Sequence, residues 1–281
     1  MLCVLININV KNHTTIFNGK QSFTKGITVL TTQEQLKYSR QIMVDNIGEH
    51  GQLALRNAKV LVVGVGGLGN PVSLYLAAAG VGTLYLADGD KIELSNLPRQ
   101  IQFSEQDINQ NKANVAVEKL SAQFPDSHIE AIDDMLDQEL CDYYFPQVDL
   151  VLDCSDNIQT RYLINQACVM HTVPLVIGAA TGFDGQQLVV DPRNKHSACY
   201  HCLFPTSIKP PTENCQTLGI LGPILAIVAG MQALQAIKLL TANGSQNNVQ
   251  INQLNLFDGL SGQWQQFKMK KQESCSVCGH G

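Results

Sequence analysis

The stretch from Lys59 to Gly69, Lys-Val-Leu-Val-Val-Gly-Val-Gly-Gly-Leu-Gly, constrains this chain more than any other. Its β-branched first half reads as a buried strand, and the helical Leu74 to Ala79 follows the glycines. A Gly-x-Gly-x-x-Gly turn between a strand and a helix has a physical purpose. Gly64 permits the tight turn, Gly66 lets the backbone approach a phosphate, and Gly69 lets the helix pack closely on the strand. A second apolar run, Thr83 to Leu86, leads to Asp88, a carboxylate placed to accept hydrogen bonds from ribose hydroxyls. Gly64, Gly66, Gly67, Gly69 and Asp88 therefore form a candidate nucleotide site.

The same grammar continues. Helical patterns at Asn111–Phe124 and Thr160–His171 alternate with apolar strands at Leu150–Leu152 and Leu175–Ile177, which predicts an α/β fold: Rossmann-like, doubly wound, with a mainly parallel sheet. Past Gly182 shorter strands are expected, Gln187–Val190 and Gln250–Phe257, with a long helix Pro223–Leu240. A Thr-Thr-x-Glu opening predicts a capped helix over Thr32–Gly48, carrying Arg40. Residues 1–30 read as an N-terminal extension with strand-like alternation at Ile6, Ile8 and Val10. With no linker to divide them, residues 31–281 read as one continuous unit.

Composition narrows the function. At 44% hydrophobic residues the chain can build a core, and its net charge of -5 argues against general nucleic-acid or anionic-membrane binding, both of which need a basic face. The longest apolar stretch, Leu218 to Met231, is interrupted by Gly219, Gly222 and Pro223 and falls short of the roughly 18 residues of a membrane span. It reads as a buried helix. Met1 to Ile6 lacks the basic residues and cleavage site of a secretion signal, so a cytoplasmic location is expected. Only 15% of the residues are charged, below the roughly 25% of an average soluble domain, which points to a surface covered by a second subunit.

The glycines alone do not choose between nucleotides. A dinucleotide for a nicotinamide-dependent oxidoreductase needs no extra cations. Activation by ATP needs Arg, Lys and a metal-holding carboxylate to stabilise a triphosphate and a departing pyrophosphate. Such groups lie downstream: Arg99, Lys112, and Asp156 just past the apolar strand Leu150–Leu152.

Cysteine spacing is the second strong signal. Cys199-x-x-Cys202 and Cys275-x-x-Cys278 can present four thiolates tetrahedrally, the closed arrangement of a structural zinc, which would tether the C-terminal β/α portion. A redox Cys-x-x-Cys needs only one pair beside a thioredoxin-like unit, which is not found here. His201 is a fifth, less suited donor. Cys154 and Cys168 read as core residues. Cys215, in a polar segment containing prolines, is a candidate nucleophile, with a spectator thiol as the alternative.

Taken together, Ser95-Asn96-Leu97-Pro98-Arg99-Gln100, the glycine loop, Asp153-Cys154-Ser155-Asp156-Asn157 and the two cysteine pairs resemble the ThiF/MoeB/HesA family of sulfur-carrier-protein adenylyltransferases, relatives of ubiquitin-activating enzymes. The resemblance runs in order from about residue 34 to the end. Leu86-Ala87-Asp88, Leu256-Phe257-Asp258-Gly259 and Gln263-Trp264 resemble the thiamine branch more than the molybdopterin branch. It implies adenylylation, by ATP, of the C-terminal glycine of a ubiquitin-like sulfur carrier ending in Gly-Gly, with Asp88 on the ribose, Asn96, Arg99 and Lys112 on the phosphates and Asp156 on a magnesium ion. It also implies a homodimer in which Arg40 reaches the neighbouring subunit's nucleotide, a crossover-loop role for Cys215 as acceptor of an acyl or sulfur adduct, and a sulfurtransferase partner.

Overall fold

The computed structural model describes residues 29–206, 219–242 and 249–279. The strand-like stretch at Ile6–Val10 and Cys215 lie outside the described residues. Eight strands form one sheet in the order β3-β2-β1-β4-β5-β6-β7-β8. The first five are β1 (Lys59–Val63), β2 (Thr83–Ala87), β3 (His128–Ile132), β4 (Leu150–Asp153) and β5 (Leu175–Thr181), all parallel. Then β6 (Asp184–Val190), β7 (Gln253–Asp258) and β8 (Gln263–Lys268) continue it antiparallel. The expected mainly parallel, doubly wound sheet is what forms.

Helices cover both faces. One face packs Val60, Val62, Leu84 and Leu152 against residues of α3 (Gly48–Asn57), α4 (Gly69–Ala78), α5 (Lys112–Gln123) and α9 (Gly222–Thr241). The other packs Leu61, Val63, Val151 and Leu175 against α6 (Gln138–Tyr144), α7 (Ile158–His171) and α8 (Tyr200–Leu203). Strands buried on both faces explain why β1 and β4 are continuous apolar runs rather than alternating ones. Helix α9 is long and apolar enough to cross a membrane, but more than half of it is buried inside the protein. It is the core helix the sequence suggested, lying against α4, β5 and β6.

The Thr32–Gly48 helix is corrected by the structure. The capping box does form, with Glu34 N–H donating to Thr31 Oγ1 and Thr31 N–H to the Glu34 carboxylate. The helix then stops at Tyr38, whose ring is buried against Gly80, and the chain continues as α1 (Thr32–Lys37), α2 (Ser39–Ile42) and α3. Tyr38 is buried while Leu36 is exposed.

Between β1 and β4 the strand order reverses direction. That switch point is where a doubly wound sheet opens a crevice at the carboxyl ends of its strands. Val63 stands opposite Ala87 and Asp153, so Gly64, Asp88 and Cys154 leave the sheet at the same level.

Candidate active site

The crevice is a cavity of about 670 Å³. Its floor is the glycine loop. Gly64 adopts φ +87°, and a Cβ there would lie 2.8 Å from the Cys154 carbonyl oxygen; a Cβ on Gly69 would lie 1.8 Å from the Gly64 oxygen. These two glycines are demanded by backbone packing, and Gly69 stands behind the cavity wall rather than in it. Gly66 differs: a Cβ there meets only Gln100 Nε2, at 3.5 Å, so its bareness serves the cavity. No side chain caps α4, whose first-turn amides begin at this loop, and amides of that kind with the helix dipole behind them attract anions.

Around this floor the chain gathers Asp88, Asn96, Arg99, Lys112 and Asp156. They arrive from four separate segments. Asp88 follows β2 and accepts the Val65 amide at 2.7 Å and the Asp90 amide at 2.9 Å, which locks the loop's shape. Burial pushes its carboxyl above the ordinary value, against the opposing pull of Lys112 and the two amides. Asn96 is buried in a short 3₁₀ turn, accepting the Glu93 amide through Oδ1, and Arg99 donates to the Ser95 carbonyl at 2.7 Å. Lys112 opens α5, capped by Asn111, and its ammonium lies 2.9 Å from Asp90 Oδ2.

Asp156 stands exposed in the cavity on the loop after β4. That loop is tightly held. Asp153, fully buried, accepts both the amide (2.9 Å) and the hydroxyl (2.6 Å) of Ser155 through Oδ1. Gln232 of α9 donates to the Asp153 carbonyl at 2.9 Å, and buried Arg161 of α7 donates to the Ser155 carbonyl at 2.8 Å.

Arg40 is exposed on α2 and is not among the residues lining its own chain's cavity. Residues that sequence reasoning missed are Asp90, Gln100, Arg161 and Gln232. Gln100 is 3% exposed, lines the cavity, and keeps Oε1 without a hydrogen-bond partner. Asp90 had a faint signal, an acid two residues past Asp88. Gln232 had the signal of a polar residue inside an apolar helix, a signal it shares with Gln235.

The donor sets suit the groups the sequence suggested. Asp156 supplies a hard carboxylate oxygen beside a phosphate-sized floor, the way proteins hold magnesium together with nucleotide phosphates. Away from this crevice, the sulfurs of Cys199, Cys202, Cys275 and Cys278 all lie within 4.8 Å of one another, all four residues buried. The pairs 202–278 and 199–275 are 3.4 and 3.7 Å apart. The Gln272 amide points at the Cys202 sulfur from 3.5 Å, a contact that steadies a thiolate. Burial pushes the Cys199 thiol up to about 11, and four crowded sulfurs become thiolates together when a cation compensates them. Zinc fits this site. His201 lies outside the cluster, its Nε2 3.2 Å from the Ser276 hydroxyl. Cys154 and Cys168 are buried core residues, as expected.

Comparison with known proteins agrees with this geometry. The sequence model of the ThiF family matches residues 38–277. The chain is 42% identical over 250 residues to the sulfur carrier protein ThiS adenylyltransferase of Escherichia coli (strain K12), covering 89% of this chain and 97% of that one. It is 41% identical over 255 residues to the adenylyltransferase and sulfurtransferase MOCS3 of Drosophila yakuba, of whose length it spans 55%. Among solved structures, E. coli MccB superposes with a TM-score of 0.76 at 24% identity, over 89% of this chain and 73% of that one. At that identity the likeness speaks for the fold.

Proposed function

Because the chain belongs to the ThiF family, we propose that it is an adenylyltransferase that activates the C-terminal glycine of a ThiS-like sulfur carrier with ATP, on the way to the thiazole of thiamine. The observation that carries this reading is the gathering of Arg99, Lys112 and Asp156 around the uncapped helix start and glycine floor of one cavity. A nicotinamide enzyme would leave that set of charges without a shared purpose.

The chemistry needs little from the protein beyond charge and alignment. A carrier's terminal carboxylate, ionised at neutral pH, attacks the α-phosphorus of ATP, and the bond from that phosphorus to the bridging oxygen breaks. Acyl-adenylate forms and pyrophosphate leaves. No general base is required, so catalysis rests on neutralising the spreading negative charge and holding the nucleophile in line. Lys112 and Arg99 supply fixed cations, Asn96 a neutral polar contact, Asp88 ribose recognition and the glycine-loop amides an anion cradle. Asp156 would hold magnesium, whose role is to neutralise phosphate charge.

The same reading includes a homodimer in which Arg40 completes the neighbour's site, a cytoplasmic location and a sulfurtransferase partner. The molybdopterin-branch carrier is the second substrate to test, because its activation uses the same chemistry. The experiment is carrier-dependent exchange of pyrophosphate into ATP with each carrier. Exchange with a ThiS-like carrier, lost in Lys112→Ala and in Asp156→Ala, supports the assignment. Wild-type rates in both variants would overturn it.

A further inference from the structure

Beside the cavity the sheet comes apart. Strands β4 and β5 pair from Val151 opposite Leu175 to Asp153 opposite Ile177, and there β4 ends while β5 runs on to Thr181. At that point two parallel strands diverge inside the protein, and the carbonyls between them need donors from elsewhere. Two side chains supply them, from opposite helical layers. Gln232 of α9 donates to the Asp153 carbonyl at 2.9 Å and contacts that of Val176 at 3.4 Å. Arg161 of α7 donates through Nη2 to the Ser155 carbonyl at 2.8 Å and the Gly178 carbonyl at 3.1 Å, joining the two strands beyond their last pairing.

Arg161 is held for this task. Its Nε stands 3.4 Å from Asp153 Oδ2, an ion pair longer than a hydrogen bond, and its guanidinium lies over the Tyr200 ring at 5.9 Å. Asp153 in turn accepts the amide and hydroxyl of Ser155. Ser155 is thus gripped at both ends of its backbone, its N–H by Asp153 and its C=O by Arg161. The next residue is Asp156.

We propose that Arg161 is a positioning residue for Asp156: by fixing the Ser155 carbonyl to the Gly178 carbonyl it sets the direction in which the Asp156 carboxylate enters the cavity, and thereby the affinity of the enzyme–nucleotide complex for its divalent cation. This rests on the reading of Asp156 given above. Arginine is specific to the role because its planar fork reaches two carbonyls and a carboxylate at once, whereas an ammonium presents one point charge.

The test is Mn²⁺ binding, followed by electron paramagnetic resonance, to the full-length protein with a non-hydrolysable ATP analogue, so that no turnover is involved. Arg161→Lys keeps the charge and loses the fork. It is expected to weaken Mn²⁺ binding by roughly 10–100-fold, the usual effect of removing a group that orients a metal ligand, with affinity for the analogue measured without metal unchanged. Amide hydrogen exchange should rise at Ser155 and Asp156 while β1 and β2 stay protected. Mn²⁺ binding at the wild-type level in folded Arg161→Lys overturns the proposal. If that variant does not fold, Ser155→Ala, which deletes only the hydroxyl bond to Asp153, is expected to show a smaller loss in the same direction, and no loss overturns the proposal. Asp156→Asn is the control for the underlying reading. If it leaves Mn²⁺ binding unchanged, the carboxylate assignment itself has failed. If it abolishes binding while Arg161→Lys does not weaken it, the assignment stands and the positioning role is wrong.

Discussion

The ammonium of Lys112 lies 2.9 Å from the Asp90 carboxylate, with the lysine side chain 9% exposed and the aspartate side chain 62% exposed. The cation proposed for phosphate is therefore already steered by a partner that water can reach. Replacing Asp90 with Asn removes the partner's charge and leaves Lys112 in place. Pyrophosphate exchange should fall by about tenfold in Asp90→Asn, the scale of one charge-assisted hydrogen bond. In Lys112→Ala it should fall by about 100-fold or more, as when a donor to developing charge is lost. Equal losses in steady-state exchange assays would show that Asp90 acts on substrate itself.

Two glycines of one loop should fail in different ways. Gly69→Ala forces a methyl to within 1.8 Å of the Gly64 oxygen, so the loop must move and the protein should lose several degrees in thermal melting. In Gly66→Ala the methyl finds 3.5 Å of room, so melting should match the wild type while ATP affinity, measured by calorimetry, drops at least about tenfold because the phosphate path is filled. Coincident behaviour of the two variants would contradict the division of labour described for the loop.

The four-cysteine cluster joins chain positions 76 residues apart. Closing a loop of that size restricts the unfolded chain by about 4 kcal/mol in the entropic account of cross-links. Loss of zinc should therefore lower the melting temperature by about 10 °C in a chain of this size. Metal analysis of protein purified without chelator should find one zinc per chain, and none in Cys278→Ser.

Glu34 gives a pH signature. The Thr31 amide, donating to its carboxylate at 2.9 Å, is the largest of the effects that hold its carboxyl below the ordinary value of 4.5; burial opposes it, and the Thr31 hydroxyl and Arg56 add to it. A depressed acid contributes stability that is present above its unfolded value and is lost as pH falls through the folded one. Glu34→Gln should cost about 1 kcal/mol at pH 7, the scale of a lost helix cap. In urea titrations the gap to wild type should close as pH drops below 4.5. A gap that persists to pH 3 would mean the side chain works by packing, not charge.

The sheet was legible in the sequence wherever strands are buried on both faces. Residues of β1, β2, β4 and β5 stand out as apolar runs because helices cover them above and below. By contrast, β3 at one edge alternates weakly, with His128 and Glu130 facing water, and every residue of β8 is exposed, so neither carries a core pattern to read. The charges that line the cavity were legible for a similar reason: Asp88 and Asp156 each follow an apolar strand, and Lys112 begins a capped helix, positions that backbone geometry brings to the same crevice. The supports were not. Gln232 acts on carbonyls 56 and 79 residues away and Arg161 joins carbonyls 6 and 17 residues from it, and no local spacing announces either partnership.

The arrangement of the cysteines has a temporal meaning. Every residue lining the crevice, save Ile220 and Leu225, precedes the first cysteine pair of the cluster, and the second pair follows β8. A ribosome making this chain thus releases β1 to β5 and the glycine loop well before the fourth thiol exists. During synthesis most of the crevice lining therefore emerges early, and the four-cysteine cluster can close only at the end.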